Sequence, residues 1–321
     1  MVAELLKVVV SLARRESDSI MRYELRDPEG KPLPAFTAGA HIDVHLSGEL
    51  IRQYSLLNDQ RERDRYVIGV LKESVGRGGS AYFHDHIGQG DVLTISAPRN
   101  NFPLHETATK SLLLAGGIGV TPILSMAARL SHLGAPFEVH YCARSRKRAA
   151  FLPWVAESPY HGQVTLHFDD EAPAQQLDIP PLLATYAPGM HLYVCGPTGF
   201  MDAVIKEAEK HWPAEAVHRE YFTLTPPEPA HGERAFQVQI ASSGEIIDVA
   251  ADETIAAALK RHGVPILLSC EQGICGTCIT EVLEGIPDHR DEVLTDEEHA
   301  SHKLMTPCCS RSKSDLLVLA L

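Results

Sequence analysis

Between Leu5 and about Phe102 the apolar positions come in short runs rich in β-branched residues, each cut off by a cluster containing Gly, Pro or Asp. Val8-Val-Val-Ser, Ile20-Met-Arg-Tyr-Glu-Leu, His41-Ile-Asp-Val-His-Leu, Arg52-Gln-Tyr-Ser-Leu, Arg65-Tyr-Val-Ile-Gly-Val-Leu and Asp91-Val-Leu-Thr-Ile-Ser predict six antiparallel strands, a barrel or sandwich, interrupted by one helix at about Gly79–Ile87. From about Lys110 the rhythm changes. Strands at Ser111–Ala115, Phe137–Ala143, Val164–Phe168 and Leu192–Cys195 alternate with helices at Thr121–Leu133, Ala149–Glu157 and Gly199–His211, the order of a parallel sheet covered on both faces. Such sheets bind ligands at the carboxyl ends of their strands. Thr225-Pro-Pro-Glu-Pro-Ala-His-Gly-Glu lacks apolar periodicity and reads as a linker. A small last domain follows: a hairpin of Phe236–Ile240 and Glu245–Val249 about Ser242-Ser-Gly, a helix Glu253–His262, and strands Ile279–Leu283 and Leu316–Leu319.

At 321 residues the chain has room for two or three domains, and 44% hydrophobic with 22% charged residues describes a globular protein rather than a disordered one. No apolar run approaches the ~20 residues that span a bilayer, and the N-terminus lacks a signal-peptide pattern, so the expected location is the cytoplasm. A net charge of −13 argues against nucleic acid or an anionic membrane as partner and favours a protein with a basic docking face.

Cysteine usage changes the picture most. Cys270, Cys275 and Cys278 are spaced C-x4-C-x2-C, with Cys308 or Cys309 completing four, the plant-type ligand spacing of a [2Fe–2S] cluster. A structural zinc site, which favours paired C-x2-C units, fits this asymmetric set poorly. Gly273 and Gly276 lie between the ligands, where a tight loop requires positive φ. The cluster takes one electron at a time, so the remaining domains should contain an electron source.

Three further stretches suit that role. Alternation along Arg52-Gln-Tyr54-Ser55 puts Arg52 and Tyr54 on one face of a strand and Ser55 on the other. Gly76-Arg-Gly78-Gly79-Ser80 opens a helix, whose free amides and dipole suit a phosphate. Gly116-Gly117-Ile-Gly119-Val-Thr121-Pro122 and Cys195-Gly196-Pro197 are glycine turns between strand and helix that would form one crevice, with Cys195 at its rim or in the core. The first is G-x-G-x-x-P, not the dinucleotide fingerprint G-x-G-x-x-G. Asp169-Asp170-Glu171 ends a strand where an adenosine ribose is expected, favouring NADH over NADPH, although Arg144 and Arg146 nearby could take a phosphate. Between Glu281 and Glu298 eight carboxylates (Glu281, Glu284, Asp288, Asp291, Glu292, Asp296, Glu297, Glu298) face one basic residue, Arg290, an acidic rim beside the cysteine loop. Electron transfer needs no general acid or base, and His84, His86, His289, His299 and His302 are read as surface or capping residues.

In order and type these motifs resemble the phthalate dioxygenase reductase family, with vanillate O-demethylase reductase subunits similar in the same order. The resemblance implies an antiparallel Greek-key β-barrel for FMN over residues 1–104, an α/β parallel-sheet NAD domain over 105–224, a linker over 225–234, and a plant-type ferredoxin domain, an α+β β-grasp fold, over 235–321. By carry-over Arg52, Ser80 and the Gly78 and Gly79 amides hold the flavin phosphate, Tyr54 and Ser55 line the flavin, and Phe222 covers it. Gly117, Gly119, Thr121, Pro122, Arg144, Asp169, Cys195, Gly196 and Pro197 belong to the NADH crevice, and the family spacing selects Cys308 as fourth cluster ligand. The implied activity is electron transfer from NADH through FMN and [2Fe–2S] to a Rieske non-haem iron oxygenase, by a chain expected to act as a monomer. A cytochrome or separate ferredoxin as acceptor, and a redox sensor, are the alternatives.

Overall fold

The computed structural model describes residues 5–46, 50–73, 79–222 and 234–321. Contacts divide the chain into two compact units after Phe222. The first begins with β1 (Leu5–Arg15), β2 (Ile20–Arg26), β3 (His41–His45), β4 (Ile51–Ser55), β5 (Tyr66–Leu71), α1 (Gly79–His86) and β6 (Val92–Ser96). These strands form one antiparallel sheet, order β4-β3-β6-β1-β2-β5, and a bridge between Leu56 and Ile68 links its two edges. Alternate residues Val8, Val10, Tyr23, Leu25, Ile42, Val44, Ile68 and Val70 point to one buried cluster. Phe83 of α1 completes it, edge-on to Tyr23 at 4.6 Å and to Tyr54 at 5.4 Å between ring centroids.

The unit continues with β7 (Lys110–Gly116), α2 (Val120–Leu133), β8 (Phe137–Ala143), α3 (Leu152–Glu157), β9 (Val164–Phe168), α4 (Ile179–Leu183), β10 (Met190–Cys195), α5 (Thr198–Ala208) and β11 (Val217–Glu220). The sheet is wholly parallel, order β11-β10-β7-β8-β9. Leu112, Leu114, Leu192 and Val194 pack with Met201 and Val204 of α5, while Leu113, Ala115, Tyr193 and Cys195 face Ile123, Leu124 and Ala127 of α2. Burying each of the larger of those helix side chains, Ala127 aside, contributes about 1.5–3 kcal/mol, and Leu124→Ala would leave a cavity costing about 2–5 kcal/mol. Ile20, Ala38, Leu57, Val67 and Phe102 of the antiparallel part belong to the same cluster as α2, so the two sheets share a core. α3 begins three residues later than its expected start because Phe151, fully buried, takes a left-handed φ of 61° and Pro153 follows within the first turn. α4 and β11 were not expected: both are short and lack a clear apolar period.

The second unit contains β12 (Phe236–Ile240), β13 (Ile246–Val249), α6 (Ile255–Arg261), β14 (Thr280–Glu284), β15 (Pro287–Asp288), α7 (Asp296–Ser301), β16 (Leu304–Met305), β17 (Arg311–Ser312) and β18 (Leu316–Leu319). Its main sheet runs β13-β12-β18-β14-β16, with β12 and β18 parallel, and β15 pairs separately with β17. Val238, Ile247, Val249, Leu317 and Leu319 pack on Ile255, Ala258 and Leu259 of α6. Thr254 caps that helix, its hydroxyl accepting from the Ala257 amide at 3.1 Å. The expected linker falls, apart from Arg234, outside the described residues. Among the described residues no helix is long and apolar enough to cross a membrane.

Candidate functional site

All seven cysteines are free thiols, and Cys270, Cys275, Cys278 and Cys308 are buried together. Cys270 lies within hydrogen-bonding reach of Cys275 and Cys308, and Cys308 within that of Cys278. Gly273 and Gly276 take φ of 76° and 70°, as the loop required, and Glu271 joins them at 55°. The loop already aims donors at sulfur: the Gln272 amide at Cys270 Sγ (3.3 Å) and the Thr277 amide at Cys275 Sγ (3.4 Å). The hydrogen bond with Cys270, then burial, push the Cys275 thiol well above its ordinary range. Four buried soft sulfur donors at this spacing suit an iron–sulfur cluster, which binds them as thiolates. Cys309 lies with Sγ 3.2 Å from Thr306 Oγ1 and against Gly273, where an added Cβ would be 2.5 Å from it, and it stays within hydrogen-bonding reach of Cys308.

In the first unit the alternation of β4 is realised. Tyr54 packs on Phe83 of α1, and Arg52 crosses the start of the same helix, where a Cβ on Gly79 would lie 2.5 Å from Arg52 Nε. Ser80 Oγ accepts from the Glu73 amide at 3.1 Å. Gly78 lies outside the described residues. Ser55, on the opposite face, donates to Glu220 Oε2 at 3.4 Å. Burial pushes the Glu220 carboxyl up to about 8, against the opposing Ser55 hydrogen bond. Glu220 was missed in the sequence, where the four-residue strand Val217-His-Arg-Glu has no alternation to expose it, although it stands two residues before Phe222. Phe222 is partly buried against the cluster containing Ala115 and Cys195.

The two glycine turns meet. β7 and β10 pair with Ala115 opposite Cys195, a Cβ on Gly119 would lie 2.3 Å from the Cys195 carbonyl oxygen, and one on Gly196 would lie 2.9 Å from Gly116 Cα. The strand order reverses between β7 and β10, the switch point where open α/β sheets form a crevice. Gly117 stands at φ 54°, and Pro197 is exposed at the start of α5. The Cys195 thiol is not at the rim: it is fully buried, because alternation turns it with Tyr193 toward α2. Burial, then the Glu220 carboxyl, hold its pKa well above the usual thiol range. Thr121 and Pro122 are likewise buried, the Thr121 hydroxyl donating to the Ile118 carbonyl at 3.0 Å. Arg144 and Asp169 are exposed at the adjacent ends of β8 and β9, where the Asp169 amide reaches the Ala143 carbonyl at 3.1 Å. Arg146 covers the Phe168 ring at 4.8 Å.

Two expectations need correction. The acidic rim is smaller than the sequence suggested: Asp291 is buried, Asp288 is paired with Arg290 at 2.9 Å, and Glu298 closes a capping box with Thr295. Glu281, Glu284, Glu292, Asp296 and Glu297 remain exposed. His84 and His86 do bond backbone carbonyls of Val70 and Tyr82, but His289 is neither a surface nor a capping residue, with its side chain only 9% exposed and stacked on His299 at 4.3 Å.

Cys308→Ser is expected to abolish the visible cluster absorption while Cys309→Ser keeps it; the reverse pattern would move the fourth ligand. For Glu220 the folded pKa lies above the ordinary value of 4.5, so folding takes up a proton between about pH 4.5 and about pH 8. Stability contributed by this group is therefore highest below that window and declines as pH rises through it. Urea midpoints of wild type and Glu220→Gln should converge at the acid end and separate at the alkaline end, the variant being the more stable; parallel profiles would acquit the carboxyl.

Residues 238–313 match the family described as 2Fe-2S iron-sulfur cluster binding domain, and residues 95–216 match the N-terminal domain of dimethylamine monooxygenase subunit DmmA-like proteins. The chain is 48% identical over 318 residues to the vanillate O-demethylase oxidoreductase of Pseudomonas sp. (strain HR199 / DSM 7063), covering 99% of this chain and 100% of that protein. It superposes on an intact type IV self-sufficient cytochrome P450 monooxygenase with a TM-score of 0.88 at 39% identity, over 99% of this chain but only 41% of that one. Phthalate dioxygenase reductase, described as a modular structure for electron transfer from pyridine nucleotides to [2Fe–2S], superposes with a TM-score of 0.74 at 38% identity, over 99% of this chain and 98% of the other. With an antiparallel sheet, a parallel sheet and a cysteine cage in the same chain, and such identity along the full length of both proteins, this chain belongs to the phthalate dioxygenase reductase family.

Proposed function

We propose that the chain is the NADH-dependent reductase component of a multicomponent Rieske-type oxygenase, carrying electrons from NADH through FMN and [2Fe–2S] to the oxygenase. The observation that carries this reading is the combination, in one chain, of the four-thiol cage with the Arg52, Tyr54, Ser55 and Glu220 constellation. A flavin held here would supply the conversion between a two-electron hydride donor and the one-electron cluster. Arg52 and Ser80, with the Gly79 amide at the start of α1, would hold the phosphate of FMN, while Tyr54, packed on Phe83, and Ser55 would line the ring. Glu220, largely protonated at neutral pH, keeps negative charge away from the place where hydride arrives and fixes the Ser55 hydroxyl. Phe222, partly buried beside Ala115 and Cys195, would cover the flavin where the nicotinamide must enter. Gly117, Gly119, Gly196 and Pro197 shape the crevice for NADH; Thr121, Pro122 and Cys195 support it from within. In this reading residues 1–104 form a Greek-key flavin barrel, for which the Leu56–Ile68 closure speaks. Residues 105–224 form the NAD domain, 225–234 the linker and 235–321 a β-grasp ferredoxin, in keeping with the parallel β12–β18 pair and α6. The protein works as a cytoplasmic monomer.

A second acceptor has one observation in its favour: the self-sufficient P450 contains a region like this whole chain. A cytochrome would then replace the Rieske protein as the electron sink. Turnover with each purified acceptor separates the two, and the reading stands only if the Rieske oxygenase is reduced faster.

Asp169 at the end of β9 accepts from a ribose 2′-hydroxyl and repels a 2′-phosphate. Asp169→Ala should narrow the kcat/KM preference for NADH over NADPH by about tenfold, or about 1.4 kcal/mol; an unchanged ratio removes Asp169 from coenzyme selection. The oxygenase docks over the exposed carboxylates beside the cluster loop. With Glu281, Glu284 and Glu292 changed to Gln, oxygenase turnover at low salt should fall about tenfold and lose most of its salt dependence, because steering charges act on association. Ferricyanide reduction by NADH should not change. Unaltered oxygenase turnover in the triple variant would put docking on another face.

A further inference from the structure

We propose that His289, Asp291 and His299 form a second metal site, separate from the cluster thiols, that takes a single divalent transition-metal ion, zinc fitting its chemistry best. One ligand atom from each residue lies within 4.8 Å of the other two. His299 Nε2 stands 3.2 Å from Asp291 Oδ2, and His289 Nδ1 stands 3.8 Å from Asp291 Oδ1. Around one tetrahedral zinc, with bonds of about 2.0–2.2 Å, ligand atoms sit roughly 3.3 Å apart. The present spacings reach that with small rotations of the two imidazoles. Imidazole and carboxylate are donors that zinc accepts together, leaving one position for water.

An independent observation points to a ligand here. His289 is nine-tenths buried, yet neither of its ring nitrogens makes a hydrogen bond of normal geometry among the described residues. Leaving two polar atoms dry is costly, and a cation on one of them removes part of that cost. The carboxylate is held in place, as metal-binding carboxylates are: Asp291 Oδ2 accepts from the Leu294 amide at 2.9 Å and Oδ1 from Ser310 Oγ at 3.4 Å. Arg290, the neighbouring cation, is engaged by Asp288 at 2.9 Å. His299 keeps 27% of its side chain exposed and gives the ion a way in. The other histidine group, His105, His191 and His218, lacks this feature, because His191 Nδ1 and His218 Nε2 already meet at 2.8 Å.

The site backs directly onto the cluster loop. A Cβ on Gly273 would lie 2.9 Å from Asp291 Cα, and the Glu292 amide donates to the Gly273 carbonyl at 3.1 Å. An ion held there would put positive charge behind the loop and favour the reduced cluster.

The test uses the full chain loaded with flavin and cluster, first freed of adventitious metal by a chelator too weak to strip the iron. Calorimetric titration with zinc chloride, with cluster absorption followed in parallel, should show one saturable equivalent per chain at constant absorption. His299→Gln and, separately, His289→Gln should each weaken that binding at least about tenfold with flavin and cluster spectra intact. His191→Gln should leave it unchanged. Absence of saturable binding, uptake that accompanies loss of cluster absorption, binding unaffected by both ligand variants, or binding lost in His191→Gln would each overturn the assignment.

Discussion

The backbone contact between the turns that follow β7 and β10 is the constraint on which the first unit depends. Gly119 lies against the Cys195 carbonyl and Gly196 against Gly116, and a single Cβ at any of these points would force the strand ends apart. The glycines cost conformational entropy in the unfolded chain, but they let two parallel strands end flush at the switch point. Everything expected of a nucleotide crevice follows from that flush edge. β11 then completes the sheet beside β10 with Glu220 opposite Cys195, so the carboxyl meets Ser55 of the antiparallel sheet. Period-two alternation in β4 does the rest, sending Arg52 and Tyr54 to α1 and Ser55 to Glu220.

A different balance governs the second unit. Its main apolar core is small, a second cluster gathers Ala256 with Cys278 and Cys308, and three of the four buried thiols lie on a loop containing three residues of positive φ. Desolvation of buried thiols is the kind of cost that binding iron as thiolates offsets. The loop amides near Cys270 and Cys275 show that the cage is already arranged for negative sulfur.

Much of this was legible in the sequence because the informative residues are local. The cysteine spacing, the Arg-x-Tyr-Ser strand and the glycine turns each report a backbone requirement within a few positions, and strands such as Phe137–Ala143, Val164–Phe168 and Phe236–Ile240 match residue for residue. What stayed hidden is non-local. Glu220 acquires its character from burial beside Ser55, which is 165 positions away. Asp291 reads as one more acid in an acidic run until Leu294 and Ser310 are seen to hold it inside. The burial of Cys195 depends on which face of β10 meets α2.

Electron flow through one chain in a fixed order is the central claim, and anaerobic rapid mixing with NADH tests it most directly. Flavin and cluster absorption are followed together, with the low-temperature EPR signal of the reduced cluster sampled at each time. The flavin should bleach first and the cluster after it, and protein stripped of flavin should keep its cluster oxidised in NADH. A cluster that stays oxidised once the flavin is reduced, or that NADH reduces without flavin, would contradict it.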